Sequence, residues 1–168
     1  MRVLGIDCGS EVTGFGIVEQ SRDRTLHCIV CGAIRLSPKQ ALPTRLAELF
    51  QQLSEVITSH SPQVVAIEDI FYAANAKSAL KLGHVRGVAM LAAASFELQV
   101  AEYAPLAIKS AVVGYGRAEK SQVQQMVAHL LRLPQPPEPA DVADALAIAI
   151  CHLHTSATLL RQKAASVS

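Results

Sequence analysis

The chain has no tryptophan, and aromatic residues make up only 4% of its 168 residues. Charged residues are also few, at 17%, against 51% hydrophobic residues, which excludes the composition of a disordered protein. The apolar residues are spread out, and no run approaches the roughly 18 residues that a membrane helix needs. We therefore expect one soluble globular domain, since about 100–200 residues per domain is usual.

Cysteine is sparse, and the four residues Cys8, Cys28, Cys31 and Cys151 are scattered. A chain of this size can fold without disulfides, so we predict reduced thiols. Cys28 and Cys31 form a CxxC motif within a strand-like run, where residues three apart point to opposite faces. No second CxxC completes a zinc site, and a structural role is favoured. His152 and His154 are two apart on a predicted helix and do not share a face, which favours structural roles there too.

The N-terminal segment "MRVLGIDCGS" has no apolar segment of about 7–15 residues followed by a cleavage site, so we expect a cytoplasmic location. The net charge of +1 argues weakly against a nucleic-acid partner. The net charge of the whole chain is misleading, however, if some of its acidic residues bind metal ions. If metal ions bind four of the 14 acids, the 15 basic residues outnumber the other ten by five.

In the first half of the chain, the residue pattern predicts strands and then alternating helices and strands. The runs "RVLGIDCG", "GFGIVEQ" and "LHCIVCGAIRL" are separated by short turns and predict an antiparallel meander. A helical apolar pattern then extends from Leu42 to Val56 and is followed by the buried strand "VVAIE". After the loop "DIFYAANA", Asn75 is a candidate N-cap for a helix from about Lys77 to Leu98, before the strand "VAEYA".

The second half is predicted to be helical. A short helix near Pro105 to Val113 precedes the loop "GYGRA", and a second helix places Val123 and Val127 on its apolar side. Prolines end that helix, and a last helix extends from about Ala140 to His154. The order predicts an α/β fold with a five-stranded mixed sheet flanked by helices. We assign residues 1–156 to the domain and 157–168 to a flexible tail.

Acidic residues interrupt three otherwise apolar elements. Asp7 and Glu68 each end a strand, where open α/β sheets place their ligand sites. Asp141 and Asp144 are three apart and share one face of the last helix. Acids in a first helical turn also stabilise the helix dipole, an explanation that suits Asp141 better than Asp144.

As a set, the four carboxylates are suited to hard cations such as Mg²⁺. Burying them together is costly unless cations neutralise them. Such a cluster can hold two ions about 3.5–4 Å apart, one activating water and one stabilising the leaving oxygen. The pattern therefore predicts phosphodiester hydrolysis.

Four segments in order resemble the bacterial RuvC Holliday junction resolvases: "GIDCGSEVTGFGIV", "AIEDIFYAANAKSALKLGHVRG", "AVVGYGRAEKSQVQQMV" and "DVADALAIAI". The resemblance extends from about residue 1 to 154. It implies a ribonuclease H-like fold, a homodimer, and Mg²⁺-dependent nicking of two like-polarity strands of a four-way DNA junction, with Mn²⁺ as a substitute. It also implies 5′-phosphate and 3′-hydroxyl ends, a role in recombination and repair, and RuvA and RuvB as partners.

By position, the resemblance implies that Asp7, Glu68, Asp141 and Asp144 are the catalytic metal ligands. Other residues are implied to contact DNA: Phe71 by stacking on an unpaired base, and Lys109 and Lys120 near the scissile phosphate. We add Lys77, Lys81 and Arg117 as expected DNA contacts. An aromatic after a strand is often a core residue, and exposed lysines are often merely solvated. The chain departs from the family pattern at Ala74, where a basic residue is common.

The long middle helix is a candidate phosphate-binding or dimer face. It carries His84 and Arg86 as well as two lysines, and Gly83 and Gly87 lie one turn apart and permit close helix approach. A two-fold dimer would present two equivalent sites to a junction with two equivalent strands.

Two alternatives remain at this point. The first segment also resembles the phosphate loop of actin-like ATPases and sugar kinases, but those need two such domains and offer no role for Asp141 and Asp144. A non-catalytic junction-binding module is the other alternative, and the presence of all four acids argues against it.

Overall fold

A five-stranded mixed sheet forms the centre of the protein, which we describe from a computed structural model covering residues 1–69 and 76–165, with residues 158–165 by backbone alone. The elements are β1 (Arg2–Asp7), β2 (Val12–Gln20), β3 (Leu26–Arg35), α1 (Leu42–His60), β4 (Val64–Glu68), α2 (Ala76–Ser95), β5 (Gln99–Tyr103), α3 (Pro105–Val113), α4 (Lys120–Leu130) and α5 (Ala140–Ala165). Along the sheet the strand order is β3-β2-β1-β4-β5. The β1–β2 and β2–β3 pairs are antiparallel, whereas β4 is parallel to both β1 and β5, which confirms the predicted mixed sheet.

Helices cover both faces of this sheet. On one face α1 and α2 pack against Leu4, Ile6 and Ile67. On the other face α3, α4 and α5 pack against Val3, Ala66 and their neighbours. The central strands are therefore buried on both sides, which explains why β1 and β4 are continuously apolar and do not alternate. Among the described residues, no helix is both long enough and apolar enough to cross a membrane.

The ends of two helices differ from the prediction. α5 continues to Ala165, well past the expected end at His154. The segment that follows His154 has no proline or glycine and is rich in helix-favouring Ala, Leu, Gln and Lys. α2 ends at Ser95, before the expected Leu98, because Glu97 adopts a left-handed backbone with φ 57°. The division into a domain of residues 1–156 and a flexible tail stays a prediction.

The CxxC segment lies in β3, as predicted, but its two thiols do not point to opposite faces. The β2–β3 register shifts between Ile17 and Val18, so that Cys31 pairs with Gly16 and Cys28 pairs with Val18. Opposed residues of antiparallel strands share a face, and Gly16 and Val18 are two apart. The prediction was wrong because a bulge inserts an extra residue between the cysteines.

Candidate active site

A cleft of about 240 Å³ opens at the carboxyl ends of the two central parallel strands. Asp7 ends β1 and Glu68 ends β4, and Ile6 is paired with Ile67 immediately before them. The cleft is lined by Asp7, Glu68, Pro105, Ile108, Lys109, Lys120, Val123, Asp144, Ala147 and Ile148. Residues from β1, β4, α3, α4 and α5 thus meet at one edge of the sheet, where α/β proteins place their ligands.

Glycines in β1 and β2 let α5 lie directly on the sheet. A Cβ added at Gly5 would be 2.0 Å from the carbonyl oxygen of Ala145, and one at Gly14 would be 2.0 Å from that of Asp141. Gly14 is also the register partner of Asp7. Because these glycine positions have no side chain, the first turns of α5 can lie next to the end of β1. Asp141 and Asp144 are in those turns. In the sequence these glycines are recognisable only as part of a motif, and their packing role becomes evident only in the structure.

The carboxylates are close enough to perturb one another. Burial is the largest cause that raises the pKa of Asp7 to about 7, and the negative charges of Asp144, Glu68 and Asp141 add to it in that order. Burial and the charge of Asp144 likewise raise the pKa of Glu68. Asp141 does not line the cleft but lies near enough to act on Asp7. All four predicted acids therefore contribute to a single negative site.

Two lysines provide positive charge at this site. Lys120 Nζ lies 2.5 Å from Asp144 Oδ2, and this hydrogen bond is the main cause that raises the pKa of Lys120. Lys109 lines the cleft from α3, and its charge acts to lower the pKa of Glu68. These two predicted DNA contacts therefore lie beside the carboxylates.

A capping box fixes the position of Lys120. Glu119 is the N-cap of α4 and accepts a hydrogen bond from the backbone of Gln122, whose side chain accepts one from the Glu119 backbone at 2.9 Å. Lys120 is consequently the first residue of the helix. A cation is unfavourable at this end of the helix dipole, so the Asp144 ion pair and the cleft, not helix stability, account for its position.

The donor chemistry of the cleft fits divalent metal ions. Four carboxylates oppose two ammonium groups, and the pKa of Asp7 is raised by burial and then by the neighbouring negative charges, whose repulsion cations would relieve. All the acidic donors are oxygens, as hard ions prefer. In the part of the chain that the structure describes, however, no three His, Cys, Asp or Glu side chains already form a group that could hold an ion. Binding of an ion would therefore require these side chains to move closer together, and Lys120 would compete with the ion for Asp144.

The other predicted DNA contacts either do not line the cleft or lie outside the described residues. Lys77 and Lys81 are exposed on α2, and Arg117 is exposed in the loop between α3 and α4. None of these three lines the cleft. Phe71, Ala74 and the candidate cap Asn75 lie outside the described residues.

Arg86 has a role that the sequence did not suggest. Its side chain turns inward from α2, and Nε donates to the carbonyl oxygen of Glu68 at 3.3 Å. Its Nη2 lies 3.5 Å from Asp69 Oδ1 and also pairs with Glu102. Grouping Arg86 with the surface cations of this helix was therefore wrong, because the acids at the ends of β4 and β5 draw it to the sheet. This arginine ties α2 to the strand end that carries Glu68.

The two C-terminal histidines make structural contacts. His152 Nδ1 lies 2.8 Å from the hydroxyl of Tyr103, and His154 Nδ1 lies 2.9 Å from the carbonyl oxygen of Ala111. Burial lowers the pKa of His152, which favours its neutral form. Both contacts fasten α5 to neighbouring elements, in agreement with the structural roles that we predicted.

Comparison with known proteins gives one consistent family. The family model described as crossover junction endodeoxyribonuclease RuvC matches residues 3–152. A crossover junction endodeoxyribonuclease RuvC of Koribacter versatilis is 72% identical over 98% of this chain and 99% of its own length. A crossover junction endodeoxyribonuclease RuvC of Acidobacterium capsulatum is 57% identical over 97% of this chain and 99% of its own length.

The solved structures agree with the sequence comparison. RuvC of Thermus thermophilus in complex with Holliday junction substrate has a TM-score of 0.87 and 28% identity, covering 94% of this chain and 96% of that one. The neighbour shows the ribonuclease H-like fold that the resemblance implied. The chain therefore belongs to the RuvC family of crossover junction endodeoxyribonucleases, the metal-dependent nucleases that resolve Holliday junctions.

Proposed function

We propose that the acidic cleft is the nuclease site, where Asp7, Glu68, Asp141 and Asp144 hold two Mg²⁺ ions and a junction strand is cut by hydrolysis. The observation that supports this most directly is that carboxylates from three separate elements, Asp7, Glu68 and Asp144, line one cleft. When bound, such ions supply an activated water and neutralise the leaving oxygen. Mn²⁺ would substitute, since it accepts the same oxygen donors.

The protein's own residues have separate tasks in this proposal. Asp7 lies close enough to the other three carboxylates to be affected by each of them, so it would be a central ligand of the bound ions. Glu68 and the Asp141–Asp144 pair would supply the remaining carboxylate ligands. Lys109 and Lys120 would hold the scissile phosphate as point charges, and Lys120 would exchange Asp144 for phosphate as the substrate arrives.

Further contacts with DNA would come from residues around the cleft. Lys77, Lys81 and Arg117 are exposed and available to phosphates outside the reacting site. Phe71 follows Glu68 closely in sequence, and we propose that it stacks on an unpaired base at the crossover. Cleavage would leave 5′-phosphate and 3′-hydroxyl ends that a ligase can join.

A homodimer would supply the second of the two cuts. Leu80, Gly83, Gly87 and Leu91 lie along one outward face of α2, where both leucines are more than half exposed. A Cβ added at either glycine would meet nothing within 4 Å, so a second helix has room to approach. We propose that two copies pair through this face, because two-fold symmetry would match the two equivalent strands of a junction.

The remaining proposals follow from family membership. We propose cooperation with the branch-migration proteins RuvA and RuvB, and action in the cytoplasm, where bacterial chromosomal DNA lies. No observation favours an actin-like ATPase, since such an enzyme gives no role to Asp141 and Asp144, which both act on Asp7. A binding module without catalysis would not need carboxylates from three elements at one cleft.

Incubation with a synthetic four-way DNA junction and Mg²⁺ tests the proposal. We expect paired nicks at symmetric positions and products that ligase can reseal, with no cleavage of a linear duplex of the same sequence. Asp7→Asn should bind the junction with similar affinity but lose nicking. Nicking by Asp7→Asn would refute the metal assignment, and ATP hydrolysis without nicking would favour the ATPase alternative.

A further inference from the structure

The two thiols of the CxxC segment lie side by side on the sheet face that packs against α5. Cys28 and Cys31 are opposite Val18 and Gly16, and both contact the hydrophobic core on that side. The two thiols are close enough for each to affect the pKa of the other. Each cysteine is half-buried, so small reagents can reach it.

The bulge brings these cysteines to a separation that a disulfide can span. On a regular strand, residues three apart are about 10 Å from each other and face opposite sides. Here the two cysteines lie opposite positions that are two residues apart on the partner strand, and two residues of a regular strand rise about 6.4–6.8 Å. Disulfides accept about 4.4–6.8 Å, so a small backbone adjustment suffices. β3 is an edge strand, bonded to β2 alone within the sheet, and can make that adjustment.

The pair also has unequal reactivity. The neighbouring Cys28 thiol lowers the pKa of Cys31, whereas the Cys31 thiol and burial raise the pKa of Cys28. Burial instead raises the pKa of Cys8 to about 12 and that of Cys151 to about 11. The thiolate is the reactive form, so Cys31 is the nucleophile and Cys28 is its neighbouring resolving thiol.

We propose that Cys28 and Cys31 form a redox-active pair that a peroxide oxidises to a reversible intrachain disulfide. The Cys31 sulfur attacks one oxygen of hydrogen peroxide, the O–O bond breaks, and a sulfenic acid and water form. The Cys28 sulfur then attacks the Cys31 sulfur, the S–O bond breaks, and a second water leaves with the thiol protons. Two electrons pass from the sulfurs to the peroxide, and an external thiol reverses the reaction.

Peptide mapping of the full-length protein tests this inference, because trypsin releases both cysteines in one peptide, Thr25–Arg35. The native protein is treated with hydrogen peroxide, denatured, alkylated at its free thiols and digested. We expect this peptide to be two hydrogens lighter and unlabelled, with Cys8 and Cys151 still labelled, and dithiothreitol to restore labelling. Full labelling of Cys28 and Cys31, or disulfides between two chains, would overturn the proposal.

Single variants separate the two roles. Cys28→Ser should leave Cys31 as a sulfenic acid that dimedone captures, whereas Cys31→Ser should lose the rapid reaction with peroxide. Cys151→Ser, which retains a hydrogen-bonding group near Thr155, is the matched control and should form the disulfide normally. Equal dimedone capture in wild type and Cys28→Ser would contradict the resolving role. The mapping does not depend on junction cleavage, so it can fail or succeed independently of the proposed nuclease site.

Discussion

At the scale of single residues, Asp7 combines burial with three like charges. Its carboxyl keeps a proton near neutral pH when no cation is present, since the pKa is about 7 instead of 3.8. The surrounding elements are held in place by contacts of Tyr103, Arg86 and Glu119. None of these contacts removes the repulsion between Asp7 and its neighbouring carboxylates. The metal-free protein therefore retains an unfavourable interaction that metal binding would convert into affinity.

We predict a pH dependence of stability from this residue. Between about pH 4 and 7 the unfolded chain loses the Asp7 proton while the folded chain keeps it, so the free energy of unfolding falls as pH rises. The expected loss is on the order of 1–4 kcal/mol, since one pKa unit corresponds to about 1.4 kcal/mol. Urea unfolding in EDTA across this range measures it.

Asp7→Asn should flatten this slope and stabilise the metal-free protein at pH 7. Glu11→Gln, which changes an exposed carboxylate outside the cleft, is the control and should retain the wild-type slope. An unchanged slope in Asp7→Asn would show that burial and the neighbouring negative charges do not raise the pKa of the Asp7 carboxyl.

Metal selectivity is a second prediction at this scale. We expect nicking with Mg²⁺ or Mn²⁺ and little with Ca²⁺, because Ca²⁺ accepts looser geometry that need not align the attacking water. Junction cleavage rates at saturating metal would measure this, with gel-shift binding as the control for substrate affinity. Full activity in Ca²⁺ would count against a site that demands strict octahedral geometry.

At the scale of elements, the position of α5 against β1 and β2 decides whether the acids meet. Close packing at Gly5 and Gly14 lets the helix backbone touch the sheet, and Gly16 makes room for Leu146. The contacts at Gly5 and Gly14 are with backbone atoms of α5, so no rotamer change can absorb a methyl group added there. The helix would have to move, and its two aspartates would move with it.

Gly14→Ala should therefore reduce junction cleavage at least about tenfold while preserving most helix content, with overpacking costing about 1–3 kcal/mol of stability. Gly32→Ala is the matched control, since its new Cβ would meet the ring of Phe15, a side chain that can shift. Cleavage rates compared under conditions where both variants are fully folded give the measurement. Equal losses in the two variants would disprove a specific role for α5 docking.

At the scale of the whole molecule, one exposed face of α2 remains without a partner in the single chain. Leu91 is 57% exposed and Leu80 is 66% exposed, on the same side as two glycines. Arg86, one residue before Gly87 on the same helix, bonds to the backbone at Glu68. A dimer through α2 would thus rest on a helix that is tied directly to the nuclease cleft.

Leu91→Glu should convert the proposed dimer into monomers, because a charge would be buried between two helices. Sedimentation velocity measures the oligomeric state, and coordinated cutting of both strands should be lost with it. Leu106→Glu, a leucine on α3 that is 64% exposed, is the control and should remain dimeric. A Leu91→Glu protein that still sediments as a dimer would place the interface elsewhere.

Local sequence patterns were enough to predict the order of the strands and helices, the mixed sheet and the four acids. Apolar periodicity and capping act between near neighbours, so they can be recognised without coordinates. The acids were recognisable because each interrupts an apolar element at a strand end or on one helix face. The end of α5 was missed, since no breaker residue marks it and a polar composition does not exclude helix.

By itself, the sequence therefore determined which elements form and which acids they carry. Tertiary structure alone decided that α5 rests on glycines, that Lys120 pairs with Asp144, that Arg86 turns inward, and that Cys28 and Cys31 share a face. Each of these depends on the pairing register or packing distance between segments far apart in the chain. Such distances are set by the fit of whole surfaces, and no local pattern records them.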